Sequence, residues 1–498
     1  MKELTRRRNR TSARVSRRHF VKTTIAGALG VARIAGPAGA QEEPRRPNLL
    51  VVMTDNQGAW TLGCYGNPDI QTPHLDRLSG EGMRFTRAFS CNAVCSPTRA
   101  TFLTGLIPSQ HGVHCYLRAN EAQMGPNAYC AIAEFRTLPK ILSKAGYACG
   151  LVGKWHLGDN LHPQEGFTYW ITMPHGHTTT FYNADVIEDG RVHKEPGYLT
   201  DLWTNRAVRF LEQNKARPFF LFLAYNGPYG LGQSLAEPAR NRHAAYYAGQ
   251  SLSSFPRLPI HPWLRDNRQY INNDQAIRRY AAEVSGVDDG VGEVMATLKR
   301  LGLDNRTLVV FTADQGWGGG QHGIWGMADH TRPLHAFDET MHVPLILRHT
   351  GSIAAGTPCD LMVSNYDLTP TLLSYLGLAD RMADSPRSPG RNFAPLLRGE
   401  TIPWDNTVYY EFENTRAIRT ADWKYIHRHP DGPHELYDLK NDPHENTNLV
   451  DNPAHAETRR RLQARLDQFF SRYADPKYDL WRGGRSKAAN LVWGKQQK

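Results

Sequence analysis

Two short segments each place an acidic residue and a side-chain amide one or two residues after an apolar run. Asp55 and Asn56 follow one such run, and Asp314 and Gln315 follow another. Two carboxylates and two amide carbonyl oxygens make an all-oxygen ligand set, which suits Ca²⁺ or Mg²⁺ and does not suit zinc. A single acid after a strand is usually a helix cap. The repeated pattern instead predicts a cation site.

The second chemical element is the segment CNAVCSPTRATFLTG. We expect it to form a two-turn helix with Ser96 as the N-cap, Pro97 at the first helical position and Gly105 at the end. Cys95 would then stand just before the helix amino terminus, where partial positive charge stabilises an anionic nucleophile. Arg99 lies one turn further along and can reach back toward Cys95.

The run Cys95-Ser96-Pro97-Thr98-Arg99 resembles the signature of the type I sulfatases, the formylglycine-dependent arylsulfatases of the alkaline-phosphatase-like superfamily. The resemblance extends in the family's order over residues 47 to 450. Its further motifs are TGLIPSQHG at 104–112, GKWHLG at 153–158, TADQG at 312–316, QHG at 321–323, DLTPTLL at 367–373 and ELYDLKNDPHENTNL at 435–449. In that family the cysteine is oxidised to Cα-formylglycine, and the hydrated aldehyde is the nucleophile.

The resemblance implies a role for each matching residue. The ligands of a Ca²⁺ ion, with Mg²⁺ as the alternative, would be Asp55, Asn56, modified Cys95, Asp314 and Gln315. Arg99 would steady the hydrate, Lys154 would neutralise a sulfate oxygen, and His156 would serve in proton transfer at the hydrate. A formylglycine-generating enzyme would be required as a maturation partner.

Three positions depart from the family pattern. Asn56 stands where a second acid is usual, so the site has one formal charge fewer than a three-carboxylate site. Tyr229 stands where a His commonly follows the strand, and a phenol is a poor acid near neutral pH. Met327 stands where the family's second active-site Lys is expected. The leaving-group acid and one sulfate-binding cation therefore need other sources.

The segment after Met327 offers replacements for the missing cation. His330, Arg332 and His335 are candidates, and we favour Arg332 because a guanidinium binds sulfate oxygens bidentately. A role in substrate recognition is the alternative for each. The residues that we expect at the substrate are Tyr229, His322 and Arg332.

Two loops are candidates for contact with substrate. His175 and His177 flank a glycine in a loop, and such residues are more often surface or substrate-facing than metal ligands. Residues 246–270 form a long insertion rich in aromatic and basic side chains. A loop of this length is often functional, so a substrate-selecting lid and an ordinary surface loop stay open as alternatives.

The apolar runs of the sequence indicate the strands that carry these residues. Continuous runs at 48–53, 218–225, 307–312 and 343–347 are typical of strands buried on both faces. Helical patterns at 138–145, 201–214 and 277–301 lie between them. This alternation predicts an α/β fold with a large, mostly parallel sheet flanked by helices. Because parallel strands end at one sheet edge, Asp55 and Asp314 should meet there.

The chain divides into four predicted parts. Residues 1–40 resemble a twin-arginine signal peptide, 45–385 form the catalytic domain, 386–475 form a smaller α+β domain with a short antiparallel sheet, and 476–498 form a polar tail. The strands of the smaller domain are expected at 408–412, 416–419 and 423–426, followed by a helix over 454–473. We expect the polar tail to be a solvated end.

The charge of the chain is concentrated at its amino end. The formal charge is +11, but residues 1–40 hold ten Lys or Arg and one Glu, which leaves only +2 for the rest. A nucleic-acid partner is therefore not expected. The motif Ser16-Arg17-Arg18-His19-Phe20 and the Ala38-Gly39-Ala40 site predict export through the twin-arginine machinery to the periplasm or medium, with no integral membrane segment afterwards. Seven cysteines, an odd number without zinc-site spacing, predict one chemically special residue and six buried free thiols.

These patterns together predict a sulfatase that hydrolyses aryl, alkyl or carbohydrate sulfates to an alcohol and inorganic sulfate. A sulfated small molecule or glycan would be the substrate. A phosphonate or phosphate ester hydrolase of the same superfamily is one alternative, because the same nucleophile and cation suit a phosphoryl group. A non-catalytic binder of sulfated glycans is the other.

Overall fold

A ten-stranded sheet forms the centre of the fold. The computed structural model describes residues 46–118, 122–382 and 387–493. In chain order the strands are β1 (Asn48–Asp55), β2 (Met83–Phe89), β3 (Ala148–Gly153), β4 (Tyr169–Thr172), β5 (Ala184–Glu188), β6 (Arg191–Glu195), β7 (Phe219–Pro228), β8 (Thr307–Ala313), β9 (Gly318–Gly319), β10 (Trp325–Gly326), β11 (His342–Arg348), β12 (Thr357–Ser364), β13 (Thr407–Phe412), β14 (Thr415–Thr420), β15 (Trp423–Arg428) and β16 (Glu435–Asp438).

The strand order of the large sheet is β12-β2-β11-β8-β1-β7-β3-β4-β5-β6. Its centre is parallel, since β8, β1, β7, β3 and β4 pair in parallel along this row. The exceptions are β11, which is antiparallel to both β2 and β8, and β5, which is antiparallel to β4 and β6. The mostly parallel sheet predicted from the apolar runs is therefore confirmed.

The central strands are apolar along their whole length because both faces of the sheet are covered. Every residue of β1, β7 and β8 is buried. The helices are α1 (Pro73–Gly80), α2 (Cys95–Thr104), α3 (Pro108–His111), α4 (Leu138–Lys144), α5 (Leu199–Asn214), α6 (Ala244–Tyr247), α7 (Asp274–Arg300), α8 (Asp338–Met341), α9 (Leu368–Tyr375), α10 (Ala394–Leu397) and α11 (Ala456–Tyr473). Long α7 begins where the Asn273 side chain accepts a hydrogen bond from the Ala276 amide at 3.0 Å, a standard N-cap.

A second, four-stranded antiparallel sheet is formed by β13, β14, β15 and β16 in that order. Helix α11 packs against β14 and β15. Its buried residues Leu462, Leu466 and Phe470 recur every four positions and so form one apolar stripe. The α+β character predicted for this part of the chain is confirmed.

The predicted domain boundaries stay predictions. Residues 1–40 and the junction at 385–386 lie outside the described residues, and the chain from Arg46 onward clusters as one compact unit. No helix among the described residues combines the length and the apolar character needed to cross a membrane.

The described part of the polar tail, residues 476–493, is packed against the rest of the protein and is not a solvated end. Tyr478 and Val492 are only 3% and 4% exposed. The net basic composition of the tail concealed these apolar anchors, which are spread too far apart to form a periodic pattern.

Candidate active site

Four neighbouring parallel strands deliver the candidate residues to one edge of the sheet. β8 ends before Asp314 and Gln315, β1 ends at Asp55, β7 ends before Tyr229, and β3 ends before Lys154. These strands lie in the order β8, β1, β7, β3, with Thr54 paired to Ala313 and Gly153 paired to Ala224. The carboxyl edge of a parallel sheet is where α/β proteins place their sites, and the predicted meeting of the two acidic segments occurs there.

Two buried ion pairs form the floor of the site. Lys154 donates to Asp55 Oδ2. Arg99 donates to Asp314 Oδ2 through Nε at 3.0 Å and Nη2 at 2.8 Å, and its Nη1 donates to the Lys154 carbonyl at 2.7 Å. All four side chains are fully buried. Two acids are thus balanced by two bases within one cluster, which a buried charge requires.

The strand ends turn sharply as they enter the site. Asn56, His156 and Tyr229 have φ values of 59°, 58° and 59°, in the left-handed region that residues other than glycine uncommonly adopt. Gly153 (φ 104°) precedes Lys154, and a Cβ on it would lie 1.9 Å from the Ala224 carbonyl oxygen. Only glycine can therefore occupy position 153, where β3 ends and Lys154 begins the turn into the site.

Helix α2 begins at Cys95, two residues earlier than the sequence predicts. Val94 is its N-cap, while the Ser96 hydroxyl donates to the His156 carbonyl at 2.9 Å and accepts the Leu117 amide at 3.0 Å. The prediction of Ser96 as N-cap is wrong because this tertiary contact occupies its hydroxyl. The end at Gly105, in the left-handed conformation, is as predicted.

The Cys95 thiol is not set up as a thiolate. Burial, opposed by Lys154 but reinforced by Asp55 and Asp314, raises the pKa of the thiol to about 12. The expected stabilisation of an anionic sulfur by the helix terminus is outweighed by desolvation and by the two neighbouring acids. As an unmodified thiol, Cys95 is therefore a poor nucleophile.

The same acids fit a cation. Ligand atoms of Asp55, Cys95 and Asp314 lie within 4.8 Å of one another, and Asp55 Oδ1 is buried without a hydrogen-bond partner. Burial and then Asp314 raise the pKa of Asp55 to about 7. A bound cation would satisfy the orphaned oxygen and offset the repulsion between the two carboxylates.

The two amides complete the candidate ligand set. Gln315 Nε2 donates to Asn56 Oδ1, and Gln315 Oε1 accepts from the Thr98 hydroxyl at 3.2 Å. Asn56 Nδ2 donates to the Tyr229 carbonyl at 2.8 Å. Both amides therefore adjoin the acids, and the oxygen donors of this cluster match a hard cation.

His156 is held with one nitrogen free to accept a proton. Its Nε2 lies 3.1 Å from the Leu117 carbonyl, so this nitrogen carries the hydrogen, while Nδ1 is buried without a partner. Burial, with Lys154 nearby, lowers the pKa of His156 well below its ordinary value. Gly176 packs flat against the ring, since a Cβ there would lie 2.0 Å from it. The neutral imidazole is thus fixed in position.

A cavity of about 450 Å³ opens above Cys95. It is lined from segments 94–95, 116, 177–179, 229–233, 266–267, 327–332 and 492. This volume is in the range of small-molecule sites. The 246–270 insertion contributes Asp266 and Asn267, and the loop of His175 and His177 contributes His177, whose Nδ1 lies 3.1 Å from the Tyr229 hydroxyl.

The cavity gathers some of the residues predicted at the substrate and omits others. Tyr229, Met327, His330 and Arg332 line it together with Cys95. His322 does not: its ring stacks on Phe337 at 3.9 Å, and its Nε2 lies 3.3 Å from Glu339 Oε2. Nor does His335, whose Nδ1 accepts the Phe337 amide at 3.3 Å.

Asp329 is a lining residue that the sequence did not single out. Its Oδ1 is buried without a hydrogen-bond partner and lies 3.5 Å from His330 Nδ1. That nitrogen already accepts the Met327 amide at 3.0 Å, so it has no proton to donate to Asp329. Burial raises the pKa of the Asp329 carboxyl. A lone acid in a loop belongs to no motif, so sequence patterns did not indicate it.

Comparisons with known proteins agree with the geometry. The family model described as "Sulfatase" matches residues 47–378, and the model described as "N-sulphoglucosamine sulphohydrolase, C-terminal" matches residues 323–472. The first match alone covers more than half of the chain.

Relatives of the chain include sulfatases that are named for amino sugars. The N-acetylglucosamine-6-O-sulfatase of Bacteroides thetaiotaomicron is 27% identical, over 90% of this chain and 90% of that protein. The N-acetylgalactosamine-6-sulfatase of Mus musculus is 31% identical, over 76% and 72%. Among solved structures, BT4656 in complex with its substrate D-glucosamine-2-N,6-O-disulfate has a TM-score of 0.67 at 26% identity, covering 86% of this chain and 98% of that chain.

Proposed function

The chain belongs to the sulfatase family and is a sulfuric ester hydrolase, and from this premise we propose that it releases sulfate from a sulfated sugar. The cluster of Asp55, Cys95, Asp314, Lys154 and Arg99 at the base of one cavity is the observation that carries the proposal. Two of its relatives are named as sulfatases of N-acetylglucosamine and N-acetylgalactosamine. A cavity with polar walls suits a sugar better than an extended apolar alcohol.

We propose that Cys95 acts as Cα-formylglycine. The raised pKa of the thiol argues against direct attack by sulfur. When present, the aldehyde hydrate would supply a hydroxyl as the nucleophile. His156 Nδ1 is then the acceptor for a hydroxyl proton, and Arg99 is fixed beside the site by Asp314.

Asp55, Asn56, Asp314 and Gln315 would hold a Ca²⁺ ion together with residue 95, with Mg²⁺ as the alternative. Such an ion would polarise the ester and stabilise charge that develops in the transition state. Lys154, paired with Asp55, holds a positive charge at the same floor. Arg332 lines the cavity with its Nη1 anchored to the carbonyls of Asp329 at 2.6 Å and Thr331 at 2.7 Å. We propose that the rest of its guanidinium binds a sulfate oxygen in place of the lysine that Met327 replaces.

The leaving alcohol needs a proton, and Asp329 is the lining residue best suited to give it. Burial raises the pKa of Tyr229 well above its ordinary value, so this phenol is a weaker acid still. Burial lowers the pKa of His177 to about 4, so its ring is neutral at pH 7. Asp329, with a raised pKa and an unpartnered oxygen, can donate its carboxyl proton as the S–O bond breaks and regain one from water.

Replacing Asp329 with asparagine tests this role. We expect kcat for a sugar or alkyl sulfate to fall by about 10²-fold or more, with little loss for nitrophenyl sulfate, because a phenolate with a low pKa leaves without protonation. The wild-type decrease in kcat at high pH should also disappear for the sugar sulfate. Equal losses on both ester types would contradict the assignment.

The sulfatase activity itself is tested on matched pairs of esters. Purified, mature protein should release sulfate from sugar or aryl sulfates with a kcat/KM at least about tenfold above that for the corresponding phosphonate monoesters. A preference for phosphonates would favour the alternative that the protein is a phosphonate or phosphate ester hydrolase. Saturable glycan binding without release of sulfate from any ester would favour the non-catalytic binder.

We also propose that the protein is exported by the twin-arginine route. Ser16-Arg17-Arg18-His19-Phe20 and Ala38-Gly39-Ala40 support this proposal. This route carries folded proteins, so modification of Cys95 would take place before export.

A further inference from the structure

The C-terminal strap, defined here as residues 475–493, reaches from α11 to the cavity above Cys95. Val492 is one of the lining residues of that cavity and is 4% exposed. The two family matches end at residues 378 and 472. One wall of the site is therefore made by a segment beyond the matched regions.

The first part of the strap is fixed to the loop after α3. The Tyr478 ring packs on Gly112, where a Cβ would lie 2.6 Å from the ring. The Lys487 amide donates to the Gly112 carbonyl at 2.7 Å, and Lys487 Nζ donates to the Ala131 carbonyl at 2.7 Å and to Glu134. Backbone and side-chain contacts thus hold this part of the strap to the segment between α3 and α4.

The end of the strap is held by one buried carboxylate. Glu413, in the turn between β13 and β14, is 1% exposed. Its Oε1 accepts the Val492 amide at 2.7 Å, and its Oε2 accepts the Trp493 amide at 2.6 Å. A carboxylate that accepts two backbone donors makes short, strong hydrogen bonds. The position of Val492 is therefore set by a dedicated contact.

The strap is also fixed to the small sheet at its midpoint. Asp479 accepts from Arg416 Nη2 at 2.7 Å, and the Trp481 indole donates to the Glu413 carbonyl at 3.1 Å. Both contacts lie near Glu413, so the strap, Glu413 and Arg416 form one connected unit. Movement of Val492 away from the cavity would require several buried contacts to break.

We propose that the C-terminal strap determines substrate specificity by closing one side of the site, with Val492 as the residue that meets the alcohol part of the ester. Residues of the strap, of the 327–332 segment, of the 229–233 segment, of the 246–270 insertion and of the His177 loop all line the cavity. We expect a site lined by so many separate segments to admit a free sugar or the end of a chain. A sulfate in the middle of a polysaccharide needs a groove that is open at two ends. This inference rests on the proposed sulfatase function.

Two truncations of the full chain test the proposal. The first ends at Asn490 and removes Leu491, Val492 and Trp493 together with residues 494–498; its matched control ends at Trp493 and removes only residues 494–498. We expect the shorter form to raise the ratio of kcat/KM for an internally sulfated oligosaccharide to that for the monosaccharide sulfate by about tenfold or more. The control should keep the wild-type ratio and the wild-type turnover of nitrophenyl sulfate.

A point variant keeps the test independent of folding. Val492→Ala, which leaves the two amides on Glu413 in place, should shift the same ratio in the same direction, and Val492→Trp should lower kcat/KM for the monosaccharide sulfate. An unchanged ratio in the shorter truncation and in both point variants would overturn the proposal. If the full chain releases no sulfate from any ester, the proposed function fails, and the same ratio measured as Kd with sulfated sugars then decides on the strap.

Discussion

Replacement of Cys95 with alanine is expected to lower kcat/KM for sulfate esters by about 10⁴-fold or more, because loss of a covalent nucleophile removes most of an enzyme's acceleration. Cys95 lies at the start of α2, buried above the Asp55, Asp314, Lys154 and Arg99 cluster. Among the residues that the structure describes, none makes a hydrogen bond to its Sγ. The melting temperature should therefore stay near that of the wild type.

Cys91→Ala is the matched control for this variant. Cys91 is also buried, four residues earlier, but its Sγ contacts the Thr101 hydroxyl at 3.4 Å and is not part of the acidic cluster. We expect it to keep full activity per folded molecule. Activity in Cys95→Ala within tenfold of the wild type would contradict a nucleophile derived from residue 95.

The second large effect is expected for Asp314→Asn. Asp314 belongs to the candidate cation site and accepts two hydrogen bonds from Arg99. Loss of its charge should weaken cation binding and free the guanidinium, and we expect kcat/KM to fall by about 10³-fold, as for several kcal/mol of lost charge stabilisation. Asp314→Asn should also lose the rise in melting temperature that saturating Ca²⁺ gives the wild type.

Asp367→Asn controls for the loss of a buried, paired acid. Asp367 is fully buried and paired with Arg391 at 3.0 Å, outside the cluster. This variant is expected to lose thermal stability but to keep the stabilisation by Ca²⁺ and the activity of the folded fraction. Wild-type Ca²⁺ stabilisation in Asp314→Asn would contradict the assigned cation site.

The sequence was most informative where chemistry repeats a family pattern at the end of a strand. Asp55 and Asp314 could be placed together because their strands are continuous apolar runs, and such runs predict buried parallel strands. The edge of the sheet then follows from topology alone. The short strands β4 to β6 lacked this signal because they are only four or five residues long and partly exposed.

The sequence was less informative where tertiary contacts decide the outcome. Ser96 has the side chain of an N-cap but uses its hydroxyl to bind Leu117 and His156. His322 lies in a motif of the family, yet it stacks on Phe337 away from the cavity. Val492 reaches the site from the far end of the chain, and no periodicity or spacing can indicate a contact of that range.

The most direct test of a formylglycine nucleophile is the mass of the peptide that contains residue 95. The peptide should come from a preparation shown to release sulfate. The thiol should have become an aldehyde, so the peptide should be lighter by about 18 Da than its unmodified form. The modified fraction should rise in proportion to specific activity across preparations. Unmodified cysteine at residue 95 in fully active protein would contradict formylglycine as the nucleophile.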